Sequence, residues 1–263
     1  MEKGKLLERM GASGDERLVL ARVLDRLEQA ERRSVPAATD FLTPAEQAQV
    51  RDLLRLADVG ADRVLFTGGF PGAERQLALF LPDWLAPEDA KPPLRLLRAS
   101  YRPEYALTHR DLLGSLMGAG IAREKIGDLL VGPESCDLAA AEGVADFLLQ
   151  SWESAGRAPL RVAELAPEAV QAPQERCEEL RDTVSSLRLD AVVGVGFRLS
   201  RSKASALIEG GRVQVNWRDC VKPDHPLTQG DTVTARGLGK FVLDRVEGTT
   251  KKGRTAIVVR RML

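Results

Sequence analysis

Paired cysteines, histidine clusters and unbroken apolar runs are what this sequence lacks, and each absence removes a class of protein. Cys136, Cys177 and Cys220 stand far apart, with no C-x-x-C pair, and only two histidines occur in 263 residues. That argues against a disulfide framework or a zinc cluster and fits a reducing cytoplasm. No stretch approaches the roughly 20 apolar residues of a membrane span. The opening run, Met1-Glu-Lys-Gly-Lys-Leu-Leu-Glu-Arg-Met10, interleaves charge with apolar side chains, so no signal-peptide core is expected. The reading is therefore of a cytoplasmic protein without metal, cofactor or membrane partner.

Net charge is missing too, since 38 Lys and Arg balance 38 Asp and Glu. The balance is between regions. Residues 187–263 hold 15 Lys and Arg against 7 Asp and Glu, a net +8, and residues 1–186 hold 23 against 31, a net −8. A basic module on an acidic body confines phosphate affinity to one end of the chain. A content of 44% hydrophobic and 29% charged residues is that of ordinary folded domains.

The periodicities predict an α+β chain in three parts: an N-terminal α+β domain (1–90), a ferredoxin-like domain resembling an RNA-recognition motif (91–170), and, after a linker (171–186), a basic domain (187–263). In the first part, Lys5 to Arg33 reads as one helix and Pro44 to about Ala57 as another, with Pro44 at the first helical position after Thr43. Two short strands follow, Arg63 to Phe70 and Glu74 to Pro82. The Gly68-Gly69 pair between them is read as a hairpin turn, because no Lys-Ser/Thr follows as a phosphate loop needs. The Pro-rich run Trp84 to Pro93 marks a boundary.

Beyond it the order is strand (94–102), helix (108–118), strand (126–131), strand (136–140), helix (143–155), strand (160–165), which is the split βαββαβ arrangement. Base stacking on such a sheet needs aromatics on the central strands, and Tyr101 is the one aromatic on these four. The domain is expected to be a poor RNA reader by itself. In Thr108-His-Arg-Asp111, His109 and Asp111 are two apart on a helix and do not face each other, so an N-capped helix start is expected rather than a dyad. Gly194-Val-Gly196 follows no parallel strand, and nucleotide binding there is not expected.

The most informative stretch runs from Arg198 to Trp217. Ser200 caps a helix, Ala204, Leu207 and Ile208 recur at helical spacing, Gly210-Gly211 ends it, and Val213, Val215 and Trp217 alternate as in a strand. Arg201 and Lys203 fall in the first helical turn, where the macrodipole disfavours cations unless an anion docks. Replacing both by Ala is expected on this reading to leave stability unchanged or slightly higher. Strand-like Cys220 to Lys222, a Gly230-Asp231 turn, strand Thr232 to Arg236 and a terminal hairpin (241–246 and 255–260) complete the domain. Lys251, Lys252 and Arg254 at the hairpin tip are either a solvated edge that blocks strand pairing or phosphate contacts.

Ser200-Arg-Ser-Lys203, Gly211-Arg-Val-Gln-Val-Asn216 and Gly230-Asp231, after Arg188-Leu-Asp190, resemble the S4-type RNA-binding domain over about 75 residues. Asn216-Trp217, where many such domains have Asn-Gly, resembles the bacterial YlmH-type proteins. Arg236-Gly-Leu-Gly-Lys240, Thr250-Lys-Lys-Gly-Arg254, Leu107-Thr-His-Arg-Asp111 and Gly127-Asp-Leu-Leu130 carry the same likeness. The resemblance implies a non-enzymatic protein that binds structured rRNA or tRNA on the ribosome, at a large subunit carrying peptidyl-tRNA, in rescue or quality control. In photosynthetic relatives it implies a link to photosystem II biogenesis. The implied RNA contacts are Arg198, Ser200, Arg201, Ser202, Lys203, Arg212, Asn216, Arg218, Arg236, Lys240, Lys251, Lys252 and Arg254.

The rival reading is an enzyme using the S4-type domain as a handle. Pseudouridine synthases with this module have a G-R-L-D motif, whereas here Leu187 precedes Arg188-Leu-Asp190. Tyrosyl-tRNA synthetases need H-x-G-H and K-M-S-K-S, and neither occurs.

Overall fold

The computed structural model describes residues 3–170, 177–250 and 253–262, and the chain divides into two units, residues 1–173 and 174–263. The first unit begins with α1 (Lys3–Arg9) and α2 (Gly14–Arg33), two helices where the periodicity predicts one. Gly11 and Gly14, at φ 65° and 53°, turn the chain between them. Helix α2 is followed by β1 (Ala37–Ala38) and then by α3 (Pro44–Leu56), which starts as expected. The Thr43 side chain accepts from the Glu46 amide while the Glu46 carboxylate accepts from Thr43, a capping box. Leu20, Val23, Leu27, Val50 and Leu53 pack from α2 and α3 onto Phe80. Phe80 belongs to an antiparallel sheet of β1, β2 (Val64–Thr67) and β3 (Leu77–Phe80) in the order β1-β3-β2. Gly68-Gly69 lies in the connection between β2 and β3.

The middle elements are β4 (Leu94–Ser100), α4 (His109–Gly118), β5 (Ile126–Val131), β6 (Ser135–Ala141), α5 (Glu142–Ser151), a small hairpin of β7 (Ser154–Ala155) and β8 (Ala158–Pro159), and β9 (Arg161–Glu164). The periodicity of the sequence does not predict this hairpin. The sheet order β5-β6-β4-β9, antiparallel throughout, is ferredoxin-like. Leu97, Ala99, Leu138 and Ala140 point to one face and share a core with Leu112, Leu116 and Leu148 of the helices. Leu96 and Ala139 point to the other, where Phe41 and Phe70 from the N-terminal region cover them. Phe41 sits so close that a Cβ on Gly127 would lie 2.9 Å from its ring and 3.0 Å from the Ala139 side chain. Around Leu96 and Ala139, the face that an RNA-recognition motif leaves open for bases is covered by protein. Tyr101 lies just past the end of β4, buried, with its hydroxyl donating to the Gly132 carbonyl at 2.7 Å.

In the second unit the order is β10 (Cys177–Val184), α6 (Leu189–Gly196), α7 (Arg201–Glu209), β11 (Val213–Val215), β12 (Arg218–Asp219), β13 (Thr232–Ala235), β14 (Gly239–Thr249) and β15 (Thr255–Met262). Residues 171–186 are expected as a linker, with 176–186 open between a strand and a short helix; the structure makes Cys177 to Val184 a full edge strand, antiparallel to β15 from the Cys177–Met262 pair to the Val184–Thr255 pair, so that part is not a linker. It alternates exposed charge with partly buried residues, too weak a hydrophobic signal to read alone, and β15 decides its conformation. The strand expected at Cys220–Lys222 is instead Arg218–Asp219. Six strands in the order β10-β15-β14-β13-β11-β12 form one sheet, on which α6 and α7 pack through Val192, Val193, Ala204 and Ile208. Gly196 is where α6 meets β14, since a Cβ there would lie 2.4 Å from the Phe241 ring. Gly194-Val-Gly196 therefore serves packing. Among the described residues, no helix is long and apolar enough to cross a membrane.

Candidate nucleic-acid interface

The first turn of α7 is built as expected, yet its electrostatics differ from the expectation. Ser200 caps the helix, its Oγ accepting from the Lys203 amide at 3.4 Å and lying 3.1 Å from the Ser202 Oγ. Arg201, however, has an anion already. Its Nε donates to Asp190 Oδ2 at 3.0 Å and its Nη2 approaches Oδ1 at 3.4 Å, while Arg188 approaches the same carboxylate with Nε and Nη2, each at 3.2 Å. Asp190, in the first turn of α6, is 3% exposed. Burial alone would raise its carboxyl, but the hydrogen bonds from Arg188 and Arg201 hold it below the usual carboxylate range. The stability-neutral reading of Arg201 is therefore corrected: removing it takes one of two cations from a buried anion. Its side chain remains 56% exposed, so the guanidinium faces both Asp190 and solvent. Lys203 is exposed and has no carboxylate partner among the described residues.

The other candidates fall in several places. Arg254 joins Arg201 in lining an open cleft of about 300 Å³ beside Asp190 and Thr183. Arg254 donates to the Thr183 carbonyl of β10. Arg212 and Arg236 line another cleft of about 290 Å³, where Arg212 Nη2 donates to the Arg236 carbonyl at 3.0 Å. Lys240 lies on β14 opposite Thr234. Lys251 and Lys252 lie outside the described residues.

Arg198, in the left-handed conformation at φ 54° between the two helices, is paired with Glu178 of β10, and Arg245 pairs with Glu179 of the same strand at 3.2 Å. With β10 included, residues 174–263 hold 17 Lys and Arg against 11 Asp and Glu, a net +6, and residues 1–173 hold 21 against 27, a net −6. The segregation persists, reduced by acids that the domain carries on its own edge.

Asn216 is committed to the protein at both ends of its amide. Nδ2 donates to Asp231 Oδ1 at 2.8 Å, and Oδ1 accepts from the Thr232 amide at 3.0 Å. Asp231 in turn accepts from the Thr228 amide at 2.7 Å. The Asn216 and Gly230-Asp231 motifs thus form one structural lock, and an RNA contact by this side chain would have to compete with it. Arg218 follows on β12, exposed, lining a third cleft.

In the first unit the two motifs with a family likeness also do structural work. Asp111 accepts from the Thr108 amide at 2.9 Å and hydroxyl at 2.6 Å, a capping box that holds the Asp111 carboxyl low. Asp128 accepts from the Glu74 and Arg75 amides at 2.5 and 3.2 Å, and Arg75 donates to the Phe41 and Ile126 carbonyls. Burial pushes the Asp128 carboxyl up.

In the sequence, Arg188-Leu-Asp190 is a motif without an assigned role. The local signal is a charged pair at a helix start, and the further partner, Arg201, lies on the next helix.

The two helices on an antiparallel sheet, with the Ser200–Lys203 turn exposed, define the C-terminal unit as an S4 domain, and that family matches residues 187–233. Residues 15–84 match the N-terminal domain of YlmH, and residues 87–169 match the family described as "Putative RNA-binding domain in YlmH". The chain is 34% identical over 248 residues to "Ribosome-associated protein quality control protein P2" of Bacillus subtilis, covering 94% of this chain and 95% of that protein. It belongs to the YlmH family. Among solved structures it is similar to "Cell division protein ylmH from Streptococcus pneumoniae", with a TM-score of 0.47 and 22% identity over 59% of this chain and 93% of that one.

Proposed function

We propose that this protein is a non-enzymatic RNA-binding factor of the cytoplasm that docks on structured rRNA or tRNA at the large ribosomal subunit during rescue or quality control of stalled translation. The observation that carries the reading is the exposed first turn of α7, where Lys203 and the outer side of Arg201 flank backbone N–H groups, with Arg254 in the same cleft as Arg201. Backbone N–H groups at a helix start and charge-assisted donors together suit phosphate oxygens. Likeness to the Bacillus subtilis ribosome-associated protein supports association with the ribosome. The filled sheet face of the ferredoxin-like domain favours reading through the S4 domain over base stacking on that sheet.

Crosslinking in cells with sequencing of the attached RNA tests this. Enrichment of large-subunit rRNA and tRNA is the expected result, and recovery of neither overturns the reading. Incubation of the protein with rRNA or tRNA followed by nucleoside analysis separates the rival: a new modified nucleoside would make the chain an enzyme.

A further inference from the structure

Strands β11 and β12 are joined by two residues, Asn216 and Trp217, inside the closing pair Val215–Arg218. Both have positive φ, 48° and 62°, the left-handed pair that a two-residue hairpin of this hand requires. Glycine takes such a position without strain and a tryptophan does not. The Asn216–Asp231 lock accounts for the first residue. Nothing in the core accounts for the second: Trp217 is 36% exposed and is not among the described side chains packed on the core of this unit. A large aromatic held in a strained conformation at a hairpin tip points to a binding role.

Its neighbours give the chemistry. Asn216 and Arg218 both line an open cleft of about 390 Å³ whose other walls include Val221, Lys222 and His225. Val221 is 55% exposed, a second apolar surface beside the indole's hairpin. The one carboxylate lining the cleft, Asp219, accepts from Gln214 Nε2 at 2.9 Å. Trp217 is flanked in the chain by Asn216 and Arg218 of this cleft, which also holds Lys222, and an exposed aromatic next to such cations is how proteins hold an unpaired nucleotide, the base stacked and the phosphates on Arg and Lys.

We infer that Trp217 is a stacking platform for an unpaired RNA base, with Arg218 and Lys222 of the adjoining cleft taking flanking phosphates. This rests on the proposed RNA-binding role of the S4 domain and adds a contact at the far hairpin, separate from the phosphate-binding turn of α7.

The test compares the full chain with W217F and W217G, by titration of large-subunit rRNA and by ultraviolet crosslinking on purified bacterial ribosomes. Trypsin releases Trp217 in the peptide Val213–Arg218. A nucleotide adduct on that peptide is expected, W217F should bind rRNA within about twofold of the parent, and W217G should bind about tenfold more weakly. W217G should nevertheless melt no lower than the parent, because glycine suits the turn. A W217G variant that binds as the parent does, or a peptide 213–218 joined to a ribosomal protein instead of a nucleotide, overturns the stacking role alone. A parent chain that neither binds rRNA nor crosslinks to it overturns both readings.

Discussion

Arg201 and Asp190 face one another across the two helices of the S4 domain, Nε to Oδ2 at 3.0 Å, and Arg188 completes the group from the other side. A cation at a helix start, unfavourable by its dipole, is thereby given an anion from the neighbouring helix. The same residue is left half in solvent, where a phosphate can reach it.

Arg201 and Lys203 should separate in their effects. R201A is expected to lower stability by about 1 kcal/mol, because Asp190 keeps only Arg188. K203A should stay within about 0.5 kcal/mol of the parent. Both should weaken rRNA binding, K203A by about 1–3 kcal/mol if its ammonium donates to a phosphate. Thermal melts and rRNA titrations read the two effects apart. A K203A variant that binds as tightly as the parent would remove the α7 turn from the interface.

The depressed Asp190 carboxyl has a definite sign in its pH dependence. A folded-state value below the unfolded one of about 3.9 contributes stability that is present above that pH and lost as pH falls through the folded value. Isolated S4 domain should therefore lose stability below about pH 4, and D190N should flatten that acid limb while lowering stability at neutral pH by about 1.5–3 kcal/mol. An unchanged acid limb in D190N, measured by denaturant titration at several pH values, would contradict the assignment.

Asn216 is predicted to act on stability first. N216G keeps a residue suited to positive φ but removes the bonds to Asp231 and Thr232, and it should cost about 1–3 kcal/mol. The excess over the cost of D231A should be small, since both variants open the same lock. A double-mutant cycle in urea measures the coupling, and additive effects would sink the pairing.

Residues 177–263 expressed alone should fold and keep most of the RNA affinity, with log K falling linearly in log salt by roughly 0.7–0.9 per phosphate neutralised. A fragment starting at 183 should melt lower, because it lacks most of β10 and uncovers the edge of β15. A salt-independent affinity would point to protein contacts in place of phosphates.

Local patterns carried much of this reading. The capping boxes with Glu46 and Asp111 appear in the structure, but Pro44 after Thr43, and Thr108 as a cap, mark helix starts in the sequence because a cap acts within a few residues of chain. The βαββαβ order and the Ser200–Glu209 helix were legible for the same reason, their periodicity being set by neighbours in the chain. Charge segregation needed only counting. What lay beyond reach depended on partners distant in sequence. Cys177–Val184 is a strand because β15 pairs with it, and Leu96 and Ala139 of the ferredoxin-like sheet are covered because Phe41 arrives from another part of the chain. Arg201 reads as an unpaired cation until α6 brings Asp190 against it. The one-dimensional sequence specifies each residue's chemistry and local conformation, whereas which charges are neutralised and which faces are covered is set by contacts that exist only once the chain has folded.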